Sequence, residues 1–460
     1  MAVWRYLGLG IACFFSIYST SSENTVRYYR RIYFNGIHDI IFKIEIRNNE
    51  LPEKYLYKVT YDSNNRIISI SFPVTSLPGL VSNSEISNID ISYMGNGQIW
   101  KYFRKGGLPA FGDYKEFYRV FDLNEDSFPI SLTNFNYYDN FVEDSSGIAY
   151  YLFKTDSIGR ITEILRKNKD GSHIADKKGK CCTRYVYGIN ALIVQESNYN
   201  INGVLANDSN GVAVIKLTVD NMGNITECRY YDHNLRPTKN KAQSYATCKM
   251  DYDHDGNVIC GKLLDQNNQL VDTQNTLFPI IRMQYDSLGL PSAIDYYDKN
   301  EILRQCKTIN AETGIIRECH YDSKGKIEAD LDEGYTFYCE KFDDYGNLIE
   351  EYYTDANGNL TRLAKEGYAI IKKKYDNYNL VEFCFLNVDS SLVENSLTGH
   401  ALEKRYYDSR GKIIRAEFYD ENGRLVNLNS NGAATVQIEY DANGIPVVVK
   451  RFDKNGNRMY

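Results

Sequence analysis

The 460-residue sequence is poor in several residue types that other classes of protein require. It has nine prolines, two tryptophans and six histidines. So little proline argues against polyproline linkers and mucin-like stalks. Outside the first twenty residues, no apolar run approaches the roughly eighteen residues that a membrane-spanning helix needs. The 53 basic and 60 acidic residues are interspersed and sum to −7, so we expect neither nucleic acid nor an anionic membrane as a partner.

Sequence signatures of catalysis, cofactors and metals are also missing. No Gly-x-Ser-x-Gly elbow, His-Glu-x-x-His motif or P-loop occurs, and no cysteines form a CxxC pair. Adjacent Glu350 and Glu351 would point to opposite faces of a strand and cannot flank one glycosidic bond. We therefore predict a non-enzymatic protein with no catalytic residue, cofactor or metal site. Two alternatives stay open, an enzyme with a site in residues 23–150 and calcium at some Asp-containing turns.

The N-terminus has the pattern of an export signal. Residues 1–21 combine one early positive charge, a mostly apolar run at 6–18 and small residues before Ser22. We predict a cleaved signal peptide and a secreted or cell-surface protein, with retention as a short anchor as the alternative. Of the ten cysteines, nine remain after Cys13 is removed, so at least one would be free or pair with another chain, and disulfides remain an open question.

Tyrosine is the residue in excess, with 40 copies against 20 of phenylalanine. A dry core would favour phenylalanine, so many aromatic rings must keep one end near polar groups. Many tyrosines belong to a recurring motif, Tyr-Asp-x-x-Gly-x-aliphatic. Clear copies begin with an aromatic residue at positions 252, 285, 321, 342, 407, 419, 440 and 452.

The motif has a regular spacing. Its Asp recurs after 12 residues and again after 33, as at Asp253, Asp265 and Asp286. A Gly-Tyr-Ala-like element precedes the major Asp by nine residues, so one unit consists of a 12-residue leg and a 21-residue leg. Between Asp286 and Asp343 the spacing of 57 equals three short legs and one long leg. The short leg is therefore a unit that can be inserted on its own.

Each copy predicts a chain reversal followed by a strand. Asp caps a tight turn through its side chain, and Gly supplies the positive φ that ends a type I turn with a bulge. About eight residues of alternating polarity follow, as a half-buried strand requires. We assign structural turns to Asp253 and Gly256, Asp286 and Gly289, Asp343 and Gly346, Asp408 and Gly411, and Asp441 and Gly444.

These legs predict an all-β fold. Short turns force antiparallel neighbours, so the chain should form a tandem-repeat antiparallel β-meander. More than about ten strands cannot stay in one open twisted sheet without curling, so we expect a spiral, a shell or a solenoid. The predicted organisation is a signal peptide at 1–21, a β-rich capping or degenerate repeat region at 22–112, and a repeat array at 113–460.

These motifs resemble the YD repeats of the Rhs and teneurin families. The resemblance covers about three quarters of the chain and implies β-hairpins that wind into a shell. The 33-residue period with Gly-Tyr-Ala is longer and more regular than the usual YD pattern. Shells of the Rhs type enclose a C-terminal toxin, whereas this sequence ends directly after a repeat turn, so we expect no enclosed cargo segment here.

The favoured function is a binding or scaffold surface for a protein or glycan partner. Paired tyrosines before the turns should place one ring on each face of the sheet, where aromatic rings can stack on sugars or contact proteins. The candidate binding residues are Tyr231, Tyr297, Tyr353, Tyr407 and Tyr419. The alternative is a hollow shell or processing partner for a separately encoded effector.

Overall fold

A computed structural model describes residues 24–35, 38–46, 51–73, 86–110, 116–144, 146–188, 191–271, 278–330, 332–441 and 446–459. The predicted signal peptide and Gly444 lie outside these ranges. The described residues form 30 β-strands, two 3-10 helices at Glu53–Tyr55 and Lys105–Gly107, and no α-helix. All these strands belong to one sheet and every pairing is antiparallel, which confirms the predicted all-β meander.

The strands follow one another along the whole chain. The first ten are β1 (Thr25–Asn35), β2 (Asp39–Ile46), β3 (Tyr57–Tyr61), β4 (Ile67–Ser71), β5 (Asn88–Met94), β6 (Gly97–Phe103), β7 (Tyr118–Leu123), β8 (Pro129–Phe135), β9 (Tyr150–Thr155) and β10 (Ile161–Lys167). The next ten are β11 (Cys182–Tyr187), β12 (Ile193–Tyr199), β13 (Val214–Val219), β14 (Ile225–Tyr231), β15 (Thr247–Tyr252), β16 (Val258–Leu264), β17 (Ile280–Tyr285), β18 (Pro291–Tyr297), β19 (Leu303–Asn310) and β20 (Ile315–Tyr321). The last ten are β21 (Ile327–Glu328), β22 (Phe337–Phe342), β23 (Leu348–Thr354), β24 (Ile370–Asp376), β25 (Asn379–Leu386), β26 (Leu402–Tyr407), β27 (Ile413–Tyr419), β28 (Thr435–Tyr440), β29 (Pro446–Phe452) and β30 (Arg458–Met459).

Strand order departs from chain order only near the N-terminus and at β21. Strand β1 lies between β2 and β3, and from β3 to β20 each strand pairs with its successor. Strand β20 then pairs with both β21 and β22, and the succession continues to β30. Within the described pairings β2 and β30 each have one partner, so the sheet is open at both ends.

The Asp-x-x-Gly segments form one repeated turn, and Asp253 shows its geometry. Its N–H donates to the carbonyl of Asn257 (2.9 Å), and its own carbonyl accepts from Gly256 (3.1 Å). Its Oδ1 accepts from the N–H groups of Asp255 (2.9 Å) and Asn257 (2.8 Å). Gly256 has φ +74°, a conformation that few residues with a Cβ adopt. The side chain therefore satisfies donors that the reversal leaves without a strand partner.

The same hydrogen bonds form at the other assigned turns whose side chains are described. Asp286, Asp343 and Asp408 each accept from two backbone N–H groups through Oδ1. The fourth residues of these turns have positive φ, namely Gly289 (+71°), Gly346 (+70°) and Gly411 (+71°). Repeated turns of one geometry keep the successive hairpins equivalent.

The 21-residue leg contains a reversal of its own that the sequence pattern did not separate. After the second Asp turn the chain forms only a single bridge, as between Leu205 and Tyr199, and then turns again. These third turns stack on one another through backbone hydrogen bonds. The donor and acceptor pairs are Ser209 and Lys178, Lys241 and Asn210, Ala364 and Glu333, Ser396 and Glu366, and Asn429 and Thr398.

The alanine of the Gly-Tyr-Ala element explains the second sequence marker. Ala213, Ala246, Ala369 and Ala401 are fully buried. The N–H of Ala369 donates to the carbonyl of Leu386 (2.8 Å), and the other three make the equivalent bond. The carbonyl of Ala369 accepts from the N–H of Tyr353 in the preceding unit (3.2 Å), so backbone from adjacent units meets at this buried position and leaves space only for a small side chain.

The inserted short legs form the hairpin of β19 and β20. Other units make a single bridge after the second turn, whereas here the turn at Asp298 leads into a complete strand. The register of β19 with β18 and β20 is continuous with the rest of the sheet. An extra hairpin is therefore accommodated without a break in the meander.

The sheet coils back on itself, so the tips of later hairpins lie against the N-terminal strands. At five of these contacts a basic side chain donates to a main-chain carbonyl of a tip. The pairs are Lys43 and Gly223, Arg31 and Gly256, Arg30 and Leu288, Lys105 and Tyr345, and Arg104 and Gly411. The basic residues and the hairpin tips that they contact follow one another in the same order along the sheet, as in successive windings of a spiral. We call this contact the seam.

The largest hydrophobic core lies in the N-terminal strands. Val59, Ile70 and Phe121 are fully buried there, with Trp100 and Phe153 in the same cluster. A smaller cluster lies beside the seam, where Leu51 and Leu56 pack on Leu290, Ile309 and Ile316. The coil therefore buries apolar residues most completely at its beginning and along the contact between windings.

Candidate binding face

The two faces of the array differ in exposure. In β13, β15 and β17 the third and fifth residues are exposed, whereas the second, fourth and sixth are only partly exposed. We call the first set the exposed face and the second set the shielded face. Lys249 and Asp251 illustrate the exposed face, and Cys248 and Met250 the shielded face.

The predicted binding tyrosines divide between the two faces. Tyr231, Tyr297 and Tyr419 lie on the exposed face, each opposite the start of the preceding strand. A basic side chain covers each ring, with Lys216 5.2 Å from the centroid of Tyr231, Arg282 4.6 Å from Tyr297 and Lys404 5.4 Å from Tyr419. Such cation–π contacts occupy the ring face that a sugar would stack on.

Tyr353 and Tyr407 lie on the shielded face, away from the other three. Tyr353 contacts the rings of Tyr335, Tyr338 and Tyr368 at centroid distances of 5.0, 5.4 and 6.3 Å. Tyr407 donates its hydroxyl hydrogen to the carbonyl of Leu380 (2.6 Å). The structure therefore does not bring the five predicted residues together into one site.

The hydrogen bond of Tyr407 belongs to a ladder along the hairpin tips. The tyrosine at or next to the end of the first strand of a unit donates to a carbonyl 26 or 27 residues earlier, just after the preceding first turn. The pairs are Tyr187 and Ile161, Tyr252 and Ile225, Tyr285 and Val258, Tyr375 and Leu348, Tyr407 and Leu380, and Tyr440 and Ile413. Phenylalanine could not make these bonds, so the ladder accounts for part of the tyrosine excess.

The fourth residue of the first strand of each unit forms a row along the shielded face. In chain order this row reads Tyr185, Leu217, Met250, Met283, Glu340, Lys373, Arg405 and Ile438. Three of its apolar members, Leu217, Met250 and Met283, are neither fully buried nor fully exposed. The row changes from apolar to charged residues where the β19–β20 hairpin is inserted, and only Ile438 in the last unit is apolar again.

The charged part of the shielded face is an ordered network. Glu318 accepts a hydrogen bond from Gln305 (2.5 Å) and pairs with Lys307 (2.7 Å) and His320 (3.3 Å). The register aligns Lys307 with Glu318, and Glu318 with Tyr338 on the next strand. These groups therefore continue the shielded face across three strands.

The network extends into the next strands through a tyrosine between two carboxylates. The hydroxyl of Tyr338 lies 2.8 Å from Glu351 and 3.1 Å from Glu340. Glu351 also pairs with Lys373, and the row residue Arg405 pairs with Glu403 on its own strand (2.5 Å). The register places Glu340 directly opposite Glu351, and Glu350 opposite Lys341 on the other face. Sequence inspection considered the neighbours Glu350 and Glu351 and missed this cross-strand pair, which only the register reveals.

Burial and partners set the charge of this network. Burial alone would raise the pKa of Glu318, but the hydrogen bond from His320 and the ammonium of Lys307 outweigh it and lower the pKa to about 2. Burial raises the pKa of Glu340, and the hydrogen bond from Tyr338 offsets this in part. Burial also raises the pKa of Glu403 against the opposing effect of Arg405. The face thus combines a firmly anionic group with carboxylates that protonate more readily.

A cavity of about 310 Å³ lies at the seam, between the Glu53–Tyr55 turn and the tips at 311–314 and 343–346. Asp344 on its rim pairs with Lys54 (2.7 Å), which lowers the pKa of that carboxyl. Asp343 caps its own turn. Tyr55 donates to the carbonyl of Ala311 (2.9 Å). The polar groups of this cavity therefore hold the two windings together.

Metal binding has little support in the arrangement of the described side chains. No group of three His, Cys, Asp or Glu residues in the described ranges has metal-binding geometry. At the calcium-like segment, Asp253 accepts from two backbone N–H groups through Oδ1 and from the amide of Asn257 through Oδ2 (2.8 Å). Its lone pairs are directed at the turn itself, in keeping with a structural role for this carboxylate.

Comparisons with known proteins leave the family of this chain open. No family model matches, and no curated protein matches. Within the described ranges, no helix has the length and hydrophobicity to cross a bilayer. The assignment to a YD-repeat variant stays a prediction.

Solved structures give weak overlaps. The chain is similar to TcdB2-TccC3, with 13% identity, a TM-score of 0.28, and coverage of 89% of this chain and 22% of that one. TcdB2-TccC3 without its hypervariable C-terminal region has 11% identity and a TM-score of 0.22, and the match covers 88% of this chain and 26% of that one. A Tc holotoxin pore of Photorhabdus luminescens has 10% identity and a TM-score of 0.21, and the match covers 88% of this chain and 25% of that one. The chain thus spans about a quarter of the length of these neighbours, and it is a coiled β-repeat protein on the evidence of its own structure.

Proposed function

We propose that this chain is an exported, non-catalytic scaffold that binds a protein partner along its shielded face. The supporting observation is the row that runs from Leu217, Met250 and Met283 to Glu340 and Lys373. The side chains of its apolar part are partly exposed to water, although apolar side chains are more stable when they are buried. A partner that covered it would remove that apolar surface from water.

The change along the row defines the chemistry of the partner. The apolar section fits an apolar polypeptide segment, and the section beyond β19 and β20 offers carboxylates and cations in fixed positions. A protein segment with an apolar stretch followed by charged residues complements both sections. Complementary charges would fix its direction along the row.

A protein partner fits the site better than a glycan. Basic side chains cover the exposed-face tyrosines Tyr231, Tyr297 and Tyr419. The rings of Tyr353 and Tyr407 already contact other tyrosines or bond to the backbone. The five tyrosines therefore offer few uncovered ring faces for sugars. The predicted signal at residues 1–21 supports export of the scaffold.

The proposal of a non-catalytic role follows from how the charges are used. Glu318, Glu351 and Glu403 each have a cationic partner, and Glu340 shares a hydroxyl with Glu351. Such mutual pairing stabilises a charged surface in one arrangement. The carboxylates are therefore bonded to neighbouring side chains of the network and do not point towards a common reacting atom.

Site-specific photo-cross-linking tests the binding face. A benzophenone amino acid is placed at Met250 or Met283, with the adjacent Lys249 and Arg282 on the exposed face as matched controls. In cells that naturally produce the protein, one partner should cross-link to the first two positions and not to the controls. Cross-links confined to positions 249 and 282 would contradict the proposal.

The purified partner then provides a quantitative test. Met250→Lys should weaken its binding about tenfold or more, since a buried ammonium is strongly disfavoured in an apolar contact. Lys373 occupies the equivalent position in a later unit, so lysine is compatible with the fold at this row. Unchanged affinity would exclude the apolar section from the interface.

A shell around a separately encoded effector is the second candidate, and the seam favours it. Basic residues of one winding hold the hairpin tips of the next, so the coil surrounds its own axis. Opening the seam with Arg104→Ala and Lys105→Ala separates the two functions. A shell would then expose its effector to protease, whereas a partner bound only to the shielded face would remain protected.

A further inference from the structure

The inserted hairpin places two cysteines directly opposite each other on adjacent strands. Cys306 of β19 and Cys319 of β20 are register partners. Antiparallel register partners have Cα atoms about 4.5 or 5.5 Å apart. Both separations fall within the range of about 4.4 to 6.8 Å that a disulfide accepts. The backbone is therefore arranged for a bond between these residues.

We propose that Cys306 and Cys319 form a cross-strand disulfide when the protein meets a disulfide oxidant. The register puts this pair on the side of the sheet opposite the proposed partner-binding row, where Cys306 is partly exposed and Cys319 is buried. It does not depend on the identity of the partner, because the two thiols belong to the scaffold itself.

The chemical surroundings favour exchange at this pair. A hydrogen bond with Cys319, together with burial, raises the pKa of Cys306. The same hydrogen bond lowers the pKa of Cys319, and Tyr321 and the nearby charges of His320 and Arg317 act in the same direction. The thiolate is the reactive form in disulfide exchange, so Cys319 is the sulfur of the pair that is expected to attack first.

Each of the other neighbouring cysteine pairs lacks either the geometry or the thiol contact of this pair. Cys339 lies on β22, but the register pairs it with Arg317, which makes it a diagonal neighbour of Cys319. Diagonal neighbours are about 7–8 Å apart, beyond the reach of an unstrained disulfide. Cys228 and Cys248 are register partners on the shielded face, but burial raises the pKa of both, the latter to about 11. Their thiolates are therefore scarce at neutral pH.

The reaction balances with a small-molecule disulfide such as oxidised glutathione. One sulfur of the pair, as a thiolate, attacks a glutathione sulfur, breaks the glutathione S–S bond and releases one glutathione thiolate. The second protein sulfur then attacks the mixed disulfide, breaks the bond to glutathione and releases the second glutathione. The two protein thiols are oxidised, their two protons pass to the released thiolates, and one glutathione disulfide becomes two thiols.

Peptide mapping of the wild-type chain tests the proposal directly. The reduced protein is equilibrated with a series of glutathione redox buffers, the remaining thiols are alkylated under acid quench, and cross-linked peptides are identified by mass spectrometry. The peptide that joins Cys306 to Cys319 should appear at a lower fraction of oxidised glutathione than any other link. Its absence, or the earlier appearance of a Cys319–Cys339 or Cys228–Cys248 link, would overturn the proposal.

Three serine variants define the pair. Cys339→Ser should form the link at the same redox poise as the wild type, while Cys306→Ser and Cys319→Ser should lose it. The urea midpoint of unfolding should rise on oxidation in the wild type and in Cys339→Ser, and should not respond in the other two. A redox-dependent midpoint that persists in Cys306→Ser would assign the effect to another pair.

Discussion

The N-terminal strands and the central units of the array use the same backbone but treat their apolar residues differently. In the first region Val59, Ile70 and Phe121 are fully buried in a continuous core. In the second, Leu217 and Met250 occupy equivalent inward positions and stay partly exposed. Sheet pairing alone therefore does not determine burial. What differs is whether another layer of the coil covers the face.

This difference assigns separate roles to the two regions. The N-terminal strands supply the core and the basic side chains that hold the later hairpin tips. The central units keep their shape through turns, stacked alanines and the tyrosine ladder, so Leu217 and Met250 on their shielded face stay partly exposed, while Met283 packs against the cluster beside the seam. Under the proposed function, stability and recognition lie in different parts of one sheet.

The largest expected effect is a core truncation in the N-terminal region. Phe121→Ala should destabilise the protein by about 3–5 kcal/mol, because it leaves a cavity in a fully buried cluster. Met250→Ala on the shielded face should cost only about 1 kcal/mol, since that side chain is partly exposed already. Chemical denaturation of both variants measures the difference. Equal losses would show that the central face is packed like the core.

A second prediction concerns acid and identifies a buried position within the array. His400 is 4% exposed and lies among Phe383, Phe385 and Phe418. Within the described chain neither ring nitrogen has a hydrogen-bond partner. Burial lowers the pKa of His400 to about 4 from an ordinary value of 6.5, so folding favours the neutral ring.

The sign follows from the lower pKa of the folded state. The unfolded chain binds the proton more readily, so stability is complete above pH 6.5 and falls as the pH drops towards 4. The loss is roughly 3 kcal/mol, at about 1.4 kcal/mol for each pKa unit. His400→Tyr is the matched control, because Tyr245 and Tyr368 occupy the equivalent position of other units. Unfolding measured from pH 7 to 4 should show a smaller decline in this variant, and parallel curves would refute the assignment.

A third prediction tests the alanine column that joins the units. Ala369→Leu should cost about 1–3 kcal/mol, because added methylenes have no space beside the backbone of the adjacent unit. Ala242→Leu, at an exposed turn position, should stay within about 0.5 kcal/mol of the wild type. Thermal melting compares the two. If both leucines were tolerated equally, alanine burial would not hold the units together.

The smallest effect distinguishes the two kinds of tyrosine. Tyr407→Phe should cost about 1 kcal/mol, because the carbonyl of Leu380 loses its hydroxyl partner. Tyr231→Phe should have a smaller effect, since phenylalanine keeps a ring face under Lys216. Denaturant titration resolves the two if they are measured side by side. The reverse order would mean that the cation contact outweighs the ladder.

Much of the fold could be predicted because its signals are local. The turn at Asp253 depends on a carboxylate and a glycine three residues apart, and the strand after it on alternating polarity. The 12-residue spacing of the motif also predicted the inserted short legs, which form the β19–β20 hairpin. The third reversal was missed although Asp208 and Gly211 form the same capped turn before Ala213. Later units begin this turn with Asn240, Leu363 or Asn395, so the motif does not recur there.

The candidate site could not be predicted in the same way. Glu340 and Glu351 are eleven positions apart in the chain, and only the register of β22 with β23 makes them neighbours. The tyrosines were interpreted as surface platforms because composition cannot show where a hydroxyl points. For Tyr407 it points to the backbone of the preceding hairpin. Long-range register and coil curvature were the missing information.

The seam has a consequence for how such a chain can evolve. Its acceptors at Met222, Leu288, Tyr345 and Arg410 are peptide oxygens, so these four contacts do not depend on the type of side chain at the acceptor residue, unlike the Lys54–Asp344 pair. Those four residues are chemically unrelated, yet each offers the same group at the same place. Substitutions at these four positions should therefore leave the backbone acceptors in place, so the side chains there can change while the contact between windings is kept.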